Sequence, residues 1–213
     1  MLVNVLGALL IVTSLMVVLT KSPRSTAFVY AAQSVVLVGT FLALAMTTGS
    51  TELFTWSATA FFTKVLFVPG VILFAYKKMG SPVDEYKAAV NPMTSVILVA
   101  VELLLCFVCV QGIELPTSAE VKPALAVSLA HFFIGLTCIV TQRNILKQVF
   151  GYCLMENGSH LTLALLAPQA PELVEVGVAT DAIFAVVIMA IVALRIYKVN
   201  QTLDSDELKE LKG

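Results

Sequence analysis

The chain alternates long apolar runs with short polar interruptions. Seven runs reach or approach the ~20 residues that a helix needs to cross a bilayer: positions 2–20, 26–47, 56–76, 92–111, 124–141, 148–167 and 177–196. The interruptions are "KSPR", "TGSTE", "KKMGSPVDEYK", "QGIELPTSAEVKP", "QRNILK" and "APQAPELVE", and they hold the turn formers and most of the charge. Inside lipid every backbone polar group must be satisfied within its own segment or sheet, so runs of this length are helices and not strands. The pattern predicts an all-α integral membrane protein of about seven transmembrane helices. It divides into a four-helix region over 1–122, a three-helix region over 123–200 and a tail over 201–213. The tail, "TLDSDELKELKG", reads as a short amphipathic helix with Asp204 as N-cap and Glu207 three residues on. Such a helix can dock on a cytoplasmic partner or fray.

Composition strengthens this reading. Of 213 residues, 59% are hydrophobic and 13% charged, roughly half the charged share of a soluble domain. With a mean hydropathy of +0.94, the solvent for most of this surface must be lipid. No basic tract points to nucleic acid. The first twenty residues lack the basic start and small-residue cleavage site of a signal peptide, so they read as a retained helix. Cys106, Cys109, Cys138 and Cys153 all lie in apolar runs, where cysteine serves as a small hydrophobe.

Charge placement predicts orientation. Lys21, Arg24, Lys77, Lys78, Lys87, Arg143, Lys147, Arg195, Lys198, Lys209 and Lys212 fall on one side of the seven spans. Lys122 stands alone on the other, and Lys64 lies within a span. Positive charge stays cytoplasmic, so the N-terminus is expected outside and the C-terminus inside.

Candidate chemistry lies within the spans. An ionisable residue there costs roughly 2.5–3.5 kcal/mol and commonly marks an ion path or a buried pair. The chain has Lys64, Glu102, His131, Glu156, His160 and Asp181. Counted from the expected helix ends, Lys64, His131, His160 and Asp181 fall in the outer third of the bilayer, and Glu102 and Glu156 near its middle. Glu156 and His160 are four apart and share a helix face. Gly151, Gly158 and Ser159 are small enough to let another helix pack close beside them. The functional reading is a proton or cation relay, because a carboxylate at low dielectric can exchange protons near neutral pH. The structural alternatives are interhelical hydrogen bonds for Glu156 and Glu102, and an interfacial cap for Asp181. For Lys64 they are a pair with Asp181 or a neighbouring subunit, or a stem that snorkels outward.

Two other chemistries fare worse. His131 and His160 lie at similar depth on different helices, as in a bis-histidine haem, but a hydrogen-bonded membrane histidine is commoner. "CFVC", Cys106 to Cys109, has no second cysteine pair to complete a four-ligand zinc or iron–sulfur site. No nucleotide loop, nucleophile elbow or zinc-protease pattern occurs in the chain.

The stretch "SLAHFFIGLTCIVTQRNILKQVFGYCLMENGSHLTLALLAPQAPELVEVGVATDAIFAVVIMAIVAL" closely resembles hydrogenase-4 component E, a membrane-subunit family of formate hydrogenlyase-type group 4 NiFe-hydrogenases. "SATAFFTKVLFVP" and "VKPALAVSLAHF" resemble that family's third and fifth helices, and the likeness extends over the whole chain. Residues about 125–205 also resemble the three-helix K-type subunit of respiratory complex I. Arg143 and Asn144 match its "RN", Gly151 its glycine and Asn157 its later asparagine. Its carboxylate position is held by Cys153, and Glu156 follows three residues on, a rotation of about 60° and a rise of about 4.5 Å. Its other carboxylate falls near Asp181; Lys64 and Glu102 have no counterpart in it.

The resemblance implies a non-catalytic subunit of a bacterial inner-membrane arm. Its neighbours would be antiporter-like and anchor subunits and a peripheral hydrogenase module. The NiFe centre and iron–sulfur clusters would sit in those partners, with no cofactor in this chain. Electrons from formate would reduce protons to hydrogen, and Glu156 would be a station on an ion path. Two other readings stand beside this one: a small subunit of a multi-subunit cation/proton antiporter, and a structural spacer without ion conduction.

Overall fold

The computed structural model describes residues 2–81, 87–113 and 121–210. The described residues form seven long helical spans and no extended strand. The first two are α1 (Leu2–Leu19) and α2 (Pro23–Thr48). The third is one continuous span built from α3 (Thr51–Ala60), a π-helical turn (Phe61–Phe67) and α4 (Val68–Lys78). Then come α5 (Pro92–Gln111), α6 (Lys122–Thr141), α7 (Ile145–Leu166) and α8 (Glu172–Asn200). The ends follow local chemistry. Ser22, Ser50 and Asn144 cap α2, α3 and α7 with side-chain oxygens, and Gly49 takes the left-handed conformation (φ 69°) that closes α2.

Six spans are long and apolar enough to cross a membrane: Leu2–Leu19, Pro23–Thr48, Thr51–Lys78, Pro92–Gln111, Lys122–Thr141 and Glu172–Asn200. The chain is a multi-pass membrane protein. The helix outside that set is α7, which carries Lys147, Gln148, Glu156, Asn157, Ser159 and His160 among its apolar residues. Its position explains its composition. Helix α7 packs against α6, α2 and α8, and most of its length is buried, so its solvent is largely protein.

The α6–α7 contact is the tightest in the bundle. Gly135 of α6 and Gly151 and Gly158 of α7 bring the two backbones together. A Cβ on Gly158 would lie 2.4 Å from the backbone N of Phe132, and one on Gly135 2.2 Å from that of Met155. The small residues expected to admit a neighbour at 151 and 158 admit α6; Ser159 faces outward.

The basic loops and the tail meet at one end of the bundle. Ala88 bridges Gln142 and Asn144 bridges Asp204. Arg143 pairs with Asp206 at 2.8 Å, and Lys87 with Asp204 at 3.5 Å and Glu207 at 3.7 Å. The tail therefore differs from the amphipathic helix expected. Only a 3-10 turn forms (Glu207–Glu210), because Asp204 is engaged in the bridge and accepts from the Asp206 N–H. The tail docks on its own chain; Lys212, residues 82–86 of "KKMGSPVDEYK" and residues 114–120 of "QGIELPTSAEVKP" lie outside the described residues. Lys147, counted above with the loop charges, is fully buried. It donates to the carbonyls of Val17 and Thr20, a cation at the C-terminus of α1 where the helix dipole favours one.

Candidate functional site

The π-helical turn positions the first charged group. Pro69 has no N–H, and its ring would clash with the carbonyl four residues back in a regular α-helix. The turn before it widens, and the Val68 N–H reaches back five residues to the Thr63 carbonyl. In the widened turn Thr63 and Lys64 face inward while Phe61, Phe62 and Leu66 stay exposed. Lys64 Nζ then meets both carboxylate oxygens of Glu156, at 2.6 Å (Oε1) and 2.5 Å (Oε2). The side chains are 2% and 12% exposed.

This geometry revises two expectations. Lys64 does not pair with Asp181 or snorkel; it joins Glu156. The layers separated by counting from helix ends meet here, because the π turn moves Lys64 around its helix and the rotation of α7 brings Glu156 to it. Asp181, expected as a cap near the start of the last helix, sits nine residues inside α8 and is exposed. Helix α8 begins five residues earlier than the hydropathy pattern predicts, since Pro171 and the acids after it open a helix turn.

His160 makes the second contact. Its Nε2 lies 2.8 Å from Glu175 Oε2, with both side chains nearly fully buried. The ring packs between Phe41 (centroids 4.8 Å apart) and Trp56 (5.3 Å). Glu175 was missed by the sequence reading, which placed it in a loop. The helix-start signal at Pro171–Glu172 could have revealed it.

A neutral polar chain begins beside Glu156. Asn157 Nδ2 donates to Gln33 Oε1 at 3.1 Å, with the Tyr30 hydroxyl at 3.5 Å. Gln33 Nε2 lies 3.2 Å from His131 Nε2, and His131 Nδ1 lies 2.8 Å from Ser14 Oγ. Ser14 donates to the Leu10 carbonyl at 2.6 Å, so it accepts from His131 Nδ1–H. His131 Nε2 is then the acceptor from Gln33. All bonds point one way, from α7 through α2 and α6 to α1. Both nitrogens of His131 and Nε2 of His160 have protein partners, while His160 Nδ1 is buried without one among the described residues. Among the described residues no three His, Cys, Asp or Glu side chains gather to hold a metal ion.

Glu102 lies apart from this cluster. One carboxylate oxygen accepts from the Thr137 hydroxyl of α6, and the acid ties α5 to α6. Cys153 is buried beside Tyr30. Cys106, Cys109, Cys138 and Cys153 are all free thiols.

The arrangement can hold a proton in two places. At 2.5–2.6 Å, a proton on Lys64 can pass to Glu156 without a bridging water. Outside the pair, a cleft of ≈ 390 Å³ is lined by Glu156, His160, Ser159, Tyr152 and Asp181 among others. Of the pair, Glu156 lines this cleft, between α7 and α8.

Fold and site together define a multi-pass membrane protein with a buried polar cluster, and the family model of NADH-ubiquinone/plastoquinone oxidoreductase chain 4L matches its residues 123–213. Hydrogenase-4 component E of Escherichia coli (strain K12) is 51% identical over 213 residues, covering 100% of this chain and 98% of that protein. The same protein of Shigella flexneri matches equally. An uncharacterized protein of Mycobacterium tuberculosis is 25% identical over 149 residues, 70% of this chain and 68% of its own. The chain belongs to the hydrogenase-4 component E family. No solved structure matches it.

Proposed function

We propose that this chain is a non-catalytic membrane subunit of a formate hydrogenlyase-type hydrogenase complex in the bacterial inner membrane, with its N-terminus outside. In it, Glu156 and Lys64 are a station on a proton or cation path. The observation that carries the path is the buried Lys64–Glu156 pair, flanked by the His160–Glu175 contact and the polar chain from Asn157 to Ser14. A spacer needs none of these, since apolar packing of similar volume holds helices at no desolvation cost. Full-length similarity to hydrogenase-4 component E supports the choice of complex. The NiFe centre and iron–sulfur clusters belong to partner subunits, beside antiporter-like and anchor subunits. Asp181 stands exposed on α8 among exposed Val174, Val176 and Phe184. A carboxylate bare to lipid is costly, and a cation from an adjoining subunit covers it.

Affinity purification of the tagged chain from native membranes in mild detergent tests the assignment. Recovery of subunits bearing NiFe-ligand cysteines is expected. Recovery of antiporter subunits alone would replace this reading with the antiporter one.

A further inference from the structure

At the basic end of the bundle, away from the Lys64–Glu156 site, α4 and α8 frame a second cleft of ≈ 540 Å³. Its charged rim is Lys78 from α4 and Arg195 and Lys198 from α8, and Tyr197 also lines it. Of the other cations at this end, Lys87 and Arg143 are neutralised by Asp204, Glu207 and Asp206, while Lys21, Arg24 and Lys77 have no carboxylate partner among the described residues and stand outside the cleft. Among the described residues, none of Lys78, Arg195 and Lys198 pairs with a carboxylate. Lys78 Nζ instead lies 5.9 Å from the ring centroid of Phe74, one turn deeper on α4.

Below the rim the cleft is apolar. Ile191 and Leu194 line it, and Ile191 to Lys198 spans roughly 10 Å along α8. Phe74 and Ile191 are 65% and 52% exposed, open to the hydrocarbon side. Three cations above an open apolar face match a phosphate headgroup with acyl chains beneath it.

We propose that this cleft binds an anionic membrane phospholipid. Lys78, Arg195 and Lys198 hold the phosphate, and the acyl chains lie on Ile191 and Leu194 of the lining. A free phosphate would satisfy the rim and leave the apolar half unused. The inference is independent of the ion path.

Native mass spectrometry of the detergent-purified full chain tests it, with titration of diphosphatidylglycerol, phosphatidylglycerol and phosphatidylcholine in turn. One anionic lipid per chain is expected, preferred at least about tenfold over phosphatidylcholine and not displaced by millimolar inorganic phosphate. Lys78→Gln/Arg195→Gln/Lys198→Gln should abolish the preference, while Lys21→Gln/Arg24→Gln at the same end keeps it. Equal binding of phosphatidylcholine by the unmodified chain overturns the proposal whatever the variants do. So does displacement by inorganic phosphate, which would mark a simple anion site, or an undiminished preference in the triple variant. Lipid analysis of the intact complex adds one more arm: a partner chain seated against Ile191 with no phospholipid between would also overturn it.

Discussion

Lys64 and Glu156 depend on each other. Removing one partner of a buried ion pair leaves an uncompensated charge and costs about 3–5 kcal/mol, whereas replacing both with apolar or neutral groups is close to neutral. Lys64→Met is therefore expected to lower stability by about that amount, and Lys64→Met/Glu156→Gln to recover most of it; thermal unfolding in detergent reads both. A similar test applies to Gln33, which bonds His131 and Asn157 at once. Gln33→Leu leaves His131 Nε2 without a partner and Asn157 Nδ2 with only the long Tyr30 contact, a cost of about 1–3 kcal/mol or more that the same unfolding measurement should show. The residues of this site were readable in the sequence because a charge in an apolar run stands out. Their partners were not. The Lys64–Glu156 contact depends on a π turn and on the rotation of α7, and neither leaves a periodic trace. Ser14, Gln33 and Tyr30 are uncharged, and a hydropathy pattern treats them as noise.

The glycines of α6 and α7 set the distance between these helices, and with it the position of everything α7 carries. Gly158→Ala would put a Cβ 2.4 Å from backbone that cannot yield. It is expected to lose most folded protein, while Gly39→Ala, with open space around the site, should express as the parent does; fluorescence-detected size exclusion compares the two. Pro69 has the matching role for Lys64. Pro69→Ala restores the missing N–H and allows a regular turn, so Lys64 should swing out of reach of Glu156. A double-mutant cycle between positions 64 and 156 should show a coupling energy of several kcal/mol in the parent and less than half of it in the Pro69→Ala background. Helix extents followed from hydropathy to within a few residues. The exceptions were the starts of the third span and of α8, each five residues earlier than hydropathy predicts, where the polar sequences after Ser50 and around Pro171 read as loop until the helix-start signal is given more weight than the polarity.

Across the whole molecule, the apolar runs and the even spacing of basic loops foretold a multi-pass bundle. The arrangement around α7 was not foretold, because the order in which helices pack is set by side-chain fit across distant segments. The exposed Asp181 marks a face that is incomplete in the single chain. Asp181→Lys should weaken retention of neighbouring membrane subunits on mild-detergent purification, and Asp181→Glu should preserve it.

The central claim is that the buried acid carries protons and does not merely hold helices together. Lys64→Met/Glu156→Gln removes the titrating group without leaving a buried charge unpaired. In inverted membrane vesicles containing the intact complex, turnover-linked ion movement should fall several-fold in this variant while the complex assembles at parental levels. Parental ion movement with parental hydrogen evolution would contradict the account and leave this chain a spacer.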